Sequence, residues 1–272
     1  SNVFRYFGPR HEPGTKLYNN KDAFFKTGIS QTHNLGVDFG TKSSQFRLSG
    51  SYFDQDGVVP NNEYKRINLR LSNTTKIGKF MEILPAIGII KTENKKVMRS
   101  AGGFMIGLMM WPNEVDIRDY EDGDGNKLPL FNSNNPNADY DNPLFNVNKN
   151  KNYDENERYT ASLGVNINPT DWLTLSGRFG YEKYDNNGYL QYHPQSYYIS
   201  AAVNGIQDNF FRKYEGYNHT ITATAKRKFG KHFNGRLMVG TMYQDYETSM
   251  FAITGTNLTD PNRTDSNNTA PN

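Results

Sequence analysis

QTHNLGVDF, residues 31–39, is followed across Thr41-Lys42-Ser43-Ser44 by QFRLSGSY, residues 45–52. Leu35, Val37 and Phe39 alternate with Asn34, Gly36 and Asp38; Phe46, Leu48 and Tyr52 alternate with Gln45, Arg47, Ser49 and Ser51. Successive side chains of a strand point to opposite sides, so this stretch reads as a hairpin with one apolar and one polar face. The unit recurs three times: residues 65–72 with 80–93, residues 158–167 with 173–181, and residues 220–228 with 235–246. Each pair is joined by a short turn, whereas the connections between pairs run to roughly ten, sixty and thirty-five residues. Short turns at one end and long loops at the other, on runs of about ten residues, are the pattern of an outer-membrane β-barrel.

Composition narrows the field. The 272 residues contain no cysteine, which excludes disulfide scaffolds, thiolate catalysis and zinc-thiolate sites. Lys and Arg are scattered and the net charge is only +3, so nucleic acid is not an expected partner. The longest apolar stretch, GGFMIGLMMW at 102–111, is about half of what a membrane helix needs. A mean hydropathy of −0.80 suits a soluble β-protein. It suits a membrane barrel equally, because alternate residues face water and the loops are polar. The amino end has neither the basic start nor the apolar core of a secretory signal. The carboxyl end is a polar tail, residues 260–272, and we expect a partial segment of a longer wall.

The fourth run, FMEILPAIGIIKTE at 80–93, is apolar on both faces. Something apolar, a plug or a folded-in loop, is expected against its polar-side face. Pro85 has no amide to donate and must sit where the ladder can spare one. Tyr52, Tyr64, Tyr159, Tyr181, Tyr217 and Tyr243 fall near the long-loop ends of the runs, and Phe80, Trp172 and Phe233 near the short turns, as two interfacial belts would.

The succession from Asp22-Ala23-Phe24-Phe25-Lys26-Thr27-Gly28, through residues 45–52, to Asp56-Gly57-Val58-Val59-Pro60-Asn61 resembles the SusC/RagA family of TonB-dependent outer-membrane transporters. Residues 64–71 (YKRINLRL), Trp111-Pro112, Tyr120-Glu121-Asp122-Gly123, Asn142-Pro143-Leu144 and the early Tyr6-Phe7-Gly8-Pro9-Arg10 extend the resemblance in order. It implies an all-β, antiparallel transmembrane barrel of about 22 strands. This chain would supply about eight of them from the middle, without plug or C-terminal strands, and residues 94–157 would form a long extracellular loop. The implied activity is import of oligosaccharides or peptides across the outer membrane of a Gram-negative bacterium. The implied partners are a SusD-like surface lipoprotein and, through regions outside this chain, the TonB complex. No catalysis and no cofactor is expected. The alternatives are a free-standing eight-stranded barrel serving as adhesin or anchor, and a soluble carbohydrate-binding sandwich.

Within that frame, Arg47, Arg66, Arg70 and Arg178 are expected to face the lumen, tuning passage or pairing with acids on a plug. Tyr189, Tyr192, Tyr197 and Tyr198, placed in the loop after the sixth run, are candidates to stack on a ligand or on neighbouring loops. Trp111 joins them as a ligand candidate. Residues 102–111 read as a short helix that either presents Phe104, Leu108 and Trp111 to a partner or packs inside the barrel mouth. Asp122-Gly123-Asp124-Gly125-Asn126 has alternate oxygens like a calcium loop, but position 127 is Lys where an EF-hand needs Gly. It reads as a solvated turn, and no metal is expected. The five histidines show no ligand spacing, and no serine is marked as an activated nucleophile.

Overall fold

The computed structural model describes residues 11–99, 102–130, 139–197, 204–230 and 232–269. Eight strands form one antiparallel sheet in strict chain order. They are β1 (Ile29–Gly40), β2 (Ser44–Asp56), β3 (Glu63–Ile77), β4 (Met81–Lys96), β5 (Lys151–Thr170), β6 (Leu173–Tyr192), β7 (Ile206–Phe229) and β8 (Phe233–Thr256). Three short helices, α1 (Asn20–Phe24), α2 (Phe104–Met110) and α3 (Pro143–Lys149), all lie at the long-connection end. The turns at the other end are tight, and Gly78 and Gly230 take the left-handed conformation there, with φ of 58° and 65°.

The register puts Leu35, Gly50, Leu69 and Ile89 in one cross-strand row, and Val37, Leu48, Leu71, Ile87 and Ala161 in the next. These rows share one face, and that face is open. Leu35 is 74%, Leu69 50%, Leu163 40% and Leu175 38% exposed. The sheet is a single layer: among the described residues no second sheet covers the apolar side, as a sandwich would require. Nor does β8 pair with β1, as a closed eight-stranded barrel would require.

Pro85 interrupts the ladder between β3 and β4. Pairing stops at Ser72 with Ala86 and resumes at Thr75 with Ile83, while Pro85 stays opposite Leu163 on β5. Its missing amide falls in that gap.

The strands run well beyond the alternating runs. β5 begins at Lys151, so the long connection occupies residues 97–150 rather than 94–157. β6 and β7 continue to Tyr192 and from Ile206, which shortens the third long connection to residues 193–205. At roughly 3.3 Å per residue, a strand of 24 residues is about 80 Å long, so much of it projects past any bilayer-thick band.

The aromatic belt cuts obliquely across the rows. Tyr52 shares a row with Glu157, Asp185, Lys213 and Ser249, while Tyr159 lies two residues below it, Tyr181 and Tyr217 four, and Tyr243 six. Six residues at about 3.3 Å, across six strand spacings of about 4.8 Å, correspond to a strand tilt of about 35°. The lower belt, from Phe80 just before β4 to Phe233 five residues lower on β8, falls at about 40° over four strand spacings. Both slopes lie within the tilt range of transmembrane strands. Tyr64 departs from the expected belt: it pairs with Gln55 and Asn94 on the polar face.

Candidate functional site

Two surfaces carry the polar chemistry: the polar face of the sheet and a layer of loops above it. On the face, the register brings Arg47, Arg66, Arg70 and Arg178 to one side, opposite the apolar rows. Arg47 pairs with Asp38 at 3.0 Å, and Arg178 donates to Asn166 Oδ1 at 3.1 Å, so both guanidinium groups have partners within the wall. Higher on the same face runs a ladder that the alternation did not reveal. Arg158 lies over the Tyr184 ring at 5.4 Å, Tyr184 stacks on Tyr214 at 5.0 Å, and Tyr214 stacks on Tyr246 at 6.0 Å. A Cβ on Gly216 would come within 2.9 Å of Tyr214 Cζ, so a larger residue there would displace that ring.

The loop layer has its own core. Phe24 of α1 stacks on Phe104 of α2 at 4.9 Å, and Val97, Leu108, Trp111, Ile117 and Val147 complete the cluster. Phe104, Leu108 and Trp111 thus pack inward, while Met105 and Met109 face out. Buried Asn20 ties α1 to the next segment, donating to Val115 O at 2.9 Å and accepting from Ile117 N at 3.3 Å. Asn142 caps α3, accepting from Leu144 N at 2.8 Å while its Nδ2 donates to Ile117 O at 2.8 Å. The Asn142 cap satisfies a backbone amide that the helix start leaves unpaired.

At the centre of this layer is a buried carboxylate. Asp141 accepts from Lys127 Nζ at 2.8 Å, Tyr197 N at 2.8 Å, Asn146 Nδ2 at 3.0 Å and the Ser196 hydroxyl. It joins residues 97–150 to residues 193–205. His193 stands beside it, edge-on to Phe145, and its pKa is lowered to about 4, first by burial and then by the charge of Lys149. The imidazole is therefore neutral in the folded layer at neutral pH. In the Asp122 turn, the carboxylate accepts from the Asn126 amide at 2.8 Å and the Asp124 amide at 2.9 Å. Those backbone bonds hold its pKa below the usual range.

The tyrosine candidates do not converge. Tyr189 and Tyr192 lie within β6 rather than in a loop, and on opposite faces; Tyr189 stacks on Tyr153 at 5.5 Å, and Tyr192 is buried. Tyr197 packs against Tyr140 at 4.6 Å with the rings tilted by 38°, within the loop layer. Trp111 is 7% exposed, in the loop core. Tyr198 lies outside the described residues, as does the stretch Tyr6-Phe7-Gly8-Pro9-Arg10.

No family model and no curated protein matches the sequence. Solved structures do match. The RagAB peptide transporter aligns with 94% of this chain and 29% of its own at a TM-score of 0.74 and 15% identity. The "open-open" state of the RagAB peptide importer aligns equally well, again at 0.74. The ferric-catecholate import receptor Fiu of E. coli K12 aligns with 81% of this chain at a TM-score of 0.52 and 11% identity. The likeness assigns the fold alone: an open antiparallel sheet that superposes on part of the barrel in those proteins. The chain spans about 29% of the length of the RagAB chain it matches.

Proposed function

We propose that this chain is part of the wall and outer loop layer of a SusC/RagA-type importer in the outer membrane of a Gram-negative bacterium. The observation that carries the reading is the open apolar face, bounded by an oblique tyrosine belt. Contiguous apolar surface of this extent is costly in water and favourable against lipid. The polar face then borders an aqueous passage, and the loop layer, held by Asp141, stands on the outer side to receive ligand.

In this reading oligosaccharides or peptides pass unchanged, so no bond is made or broken. A SusD-like lipoprotein delivers the ligand above the loops. The TonB complex supplies energy through parts of the transporter outside these residues. Likeness to a peptide transporter supports this division of labour.

Uptake tests the proposal. Cells expressing the intact transporter are expected to accumulate labelled peptide or oligosaccharide and to lose uptake when residues 97–150 are replaced by a short turn. Undiminished uptake by a variant that still reaches the outer membrane would refute it.

A further inference from the structure

The face that carries Leu163 and Leu175 changes character twice above the tyrosine belt. Two cross-strand rows first turn it polar: Lys183, Glu215 and Glu247 beside Tyr159, then Glu157, Asp185 and Lys213 beside Ser249. Higher still it becomes aromatic again. Glu155, Asn187, Phe211 and Phe251 form one row, and Tyr153, Tyr189, Asn209 and Ile253 the next. Phe211 lies six residues above Tyr217 and Phe251 eight above Tyr243, about 20 and 26 Å along their strands. These upper rows enclose a pocket of about 320 Å³. Its walls are rings: Tyr153 stacks on Tyr189 at 5.5 Å, and Phe251 is 65% exposed. Its polar groups are Glu155, Asn187 and, from the segment that crosses above, Ser266. Gln207 and Asn209 fix that segment, each donating to Thr264 O at 3.0 Å. The Asn187 amide and the Ser266 hydroxyl have no hydrogen-bond partner among the described residues.

The surroundings discriminate between occupants. An acyl chain rising from the apolar band would have to cross both charged rows, and charge against hydrocarbon is costly. A phosphate would meet the carboxylate of Glu155, with Glu157 two residues below it. Exposed ring faces beside an amide, a hydroxyl and a carboxylate suit a sugar, whose C–H face lies on a ring while its hydroxyls pair with the polar groups. We infer that this pocket binds the sugar head of a glycolipid standing in the leaflet around the protein. The ligand is not cargo, because the pocket lies on the opposite face from the polar one that borders the passage. The inference goes beyond the import reading and rests on it only for the source of the sugar.

The test is calorimetric titration of the intact protein in detergent with the dephosphorylated core oligosaccharide of rough lipopolysaccharide, freed of its acyl chains. The oligosaccharide is expected to bind. Phe251→Ser, at a side chain too exposed to hold the sheet together, should weaken it about tenfold. Tyr246→Ser, on the polar face, should leave the affinity unchanged. Absence of binding, or an affinity that Phe251→Ser does not alter, would overturn the assignment. So would a loss confined to Tyr246→Ser, which would put the sugar in the passage, or displacement of the oligosaccharide by lipid A alone, which would make the occupant an acyl chain. The free oligosaccharide needs no bilayer, and uptake reports separately. Binding with failed uptake upholds the pocket and counts against the importer reading; uptake without binding sinks the pocket alone.

Discussion

Lys127 Nζ lies 2.8 Å from Asp141 Oδ1, with the two side chains 0% and 5% exposed. Two charges so deeply buried are tolerated only when paired and hydrogen-bonded. Asp141 meets that condition with donors from three separated stretches of chain. The pair is thus the tie by which two long connections behave as one body.

Asp141→Ala should remove the hydrogen-bonded carboxylate from buried Lys127 and cost the loop layer about 3–5 kcal/mol. Hydrogen exchange at residues 141–150 and 193–197 should accelerate accordingly, while amides of β2 and β3 stay protected. Adding Lys127→Met should recover part of the loss. Unchanged loop protection in the single variant would show that the tie is dispensable.

Acid should loosen the same layer. The His193 pKa falls from an ordinary 6.5 to about 4 on folding, so between those values the unfolded loop binds more protons than the folded one. Stability conferred by the neutral imidazole is complete above about pH 6.5 and is lost as pH falls toward 4. Loop proteolysis measured across that window should rise in the wild type and rise less in His193→Gln.

The apolar face predicts an asymmetric response to charge. Leu163→Arg, midway down β5 on the open face, should cost about 2–4 kcal/mol of folding stability in bilayers. Thr160→Arg, three residues away on the polar face, should cost well under 1 kcal/mol. Equal costs at the two positions would contradict lipid contact on one side only.

Gly216→Ala should push the Tyr214 ring off its neighbours. Each of the two stacks it makes, with Tyr184 and Tyr246, contributes about 0.5–1.5 kcal/mol. A loss of roughly that size, with weakened near-ultraviolet circular dichroism, is the expected result of thermal melts in detergent.

The parts of the wall that were legible in the sequence are those whose two faces meet different surroundings. Residues 31–39 and 158–167 alternate because one face of the sheet is apolar and the other polar. Residues 182–192 do not alternate, since Asp185-Asn186-Asn187-Gly188 is polar throughout and lies above the apolar band. Those residues are strand because neighbouring backbones pair with them, an influence that outweighs their own weak preference. The same extension moved Tyr189 and Tyr192 out of the loop where the pattern had put them.

The hub was invisible for a different reason. Asp141 carries no motif, and nothing near it in the chain marks it as buried. Two of its partners, Ser196 and Tyr197, lie more than fifty residues on and meet it because the pairing of β5 with β6 brings two connections side by side.

What the order of residues decided alone was the sidedness of the wall, because covalent geometry sends successive side chains of a strand in opposite directions whatever surrounds them. Which tyrosines touch, where the belt crosses the rows and which carboxylate ties the loops were decided by the fold. These depend on hydrogen-bond register between strands and on loop closure over many residues, and neither is written in any local run of the chain.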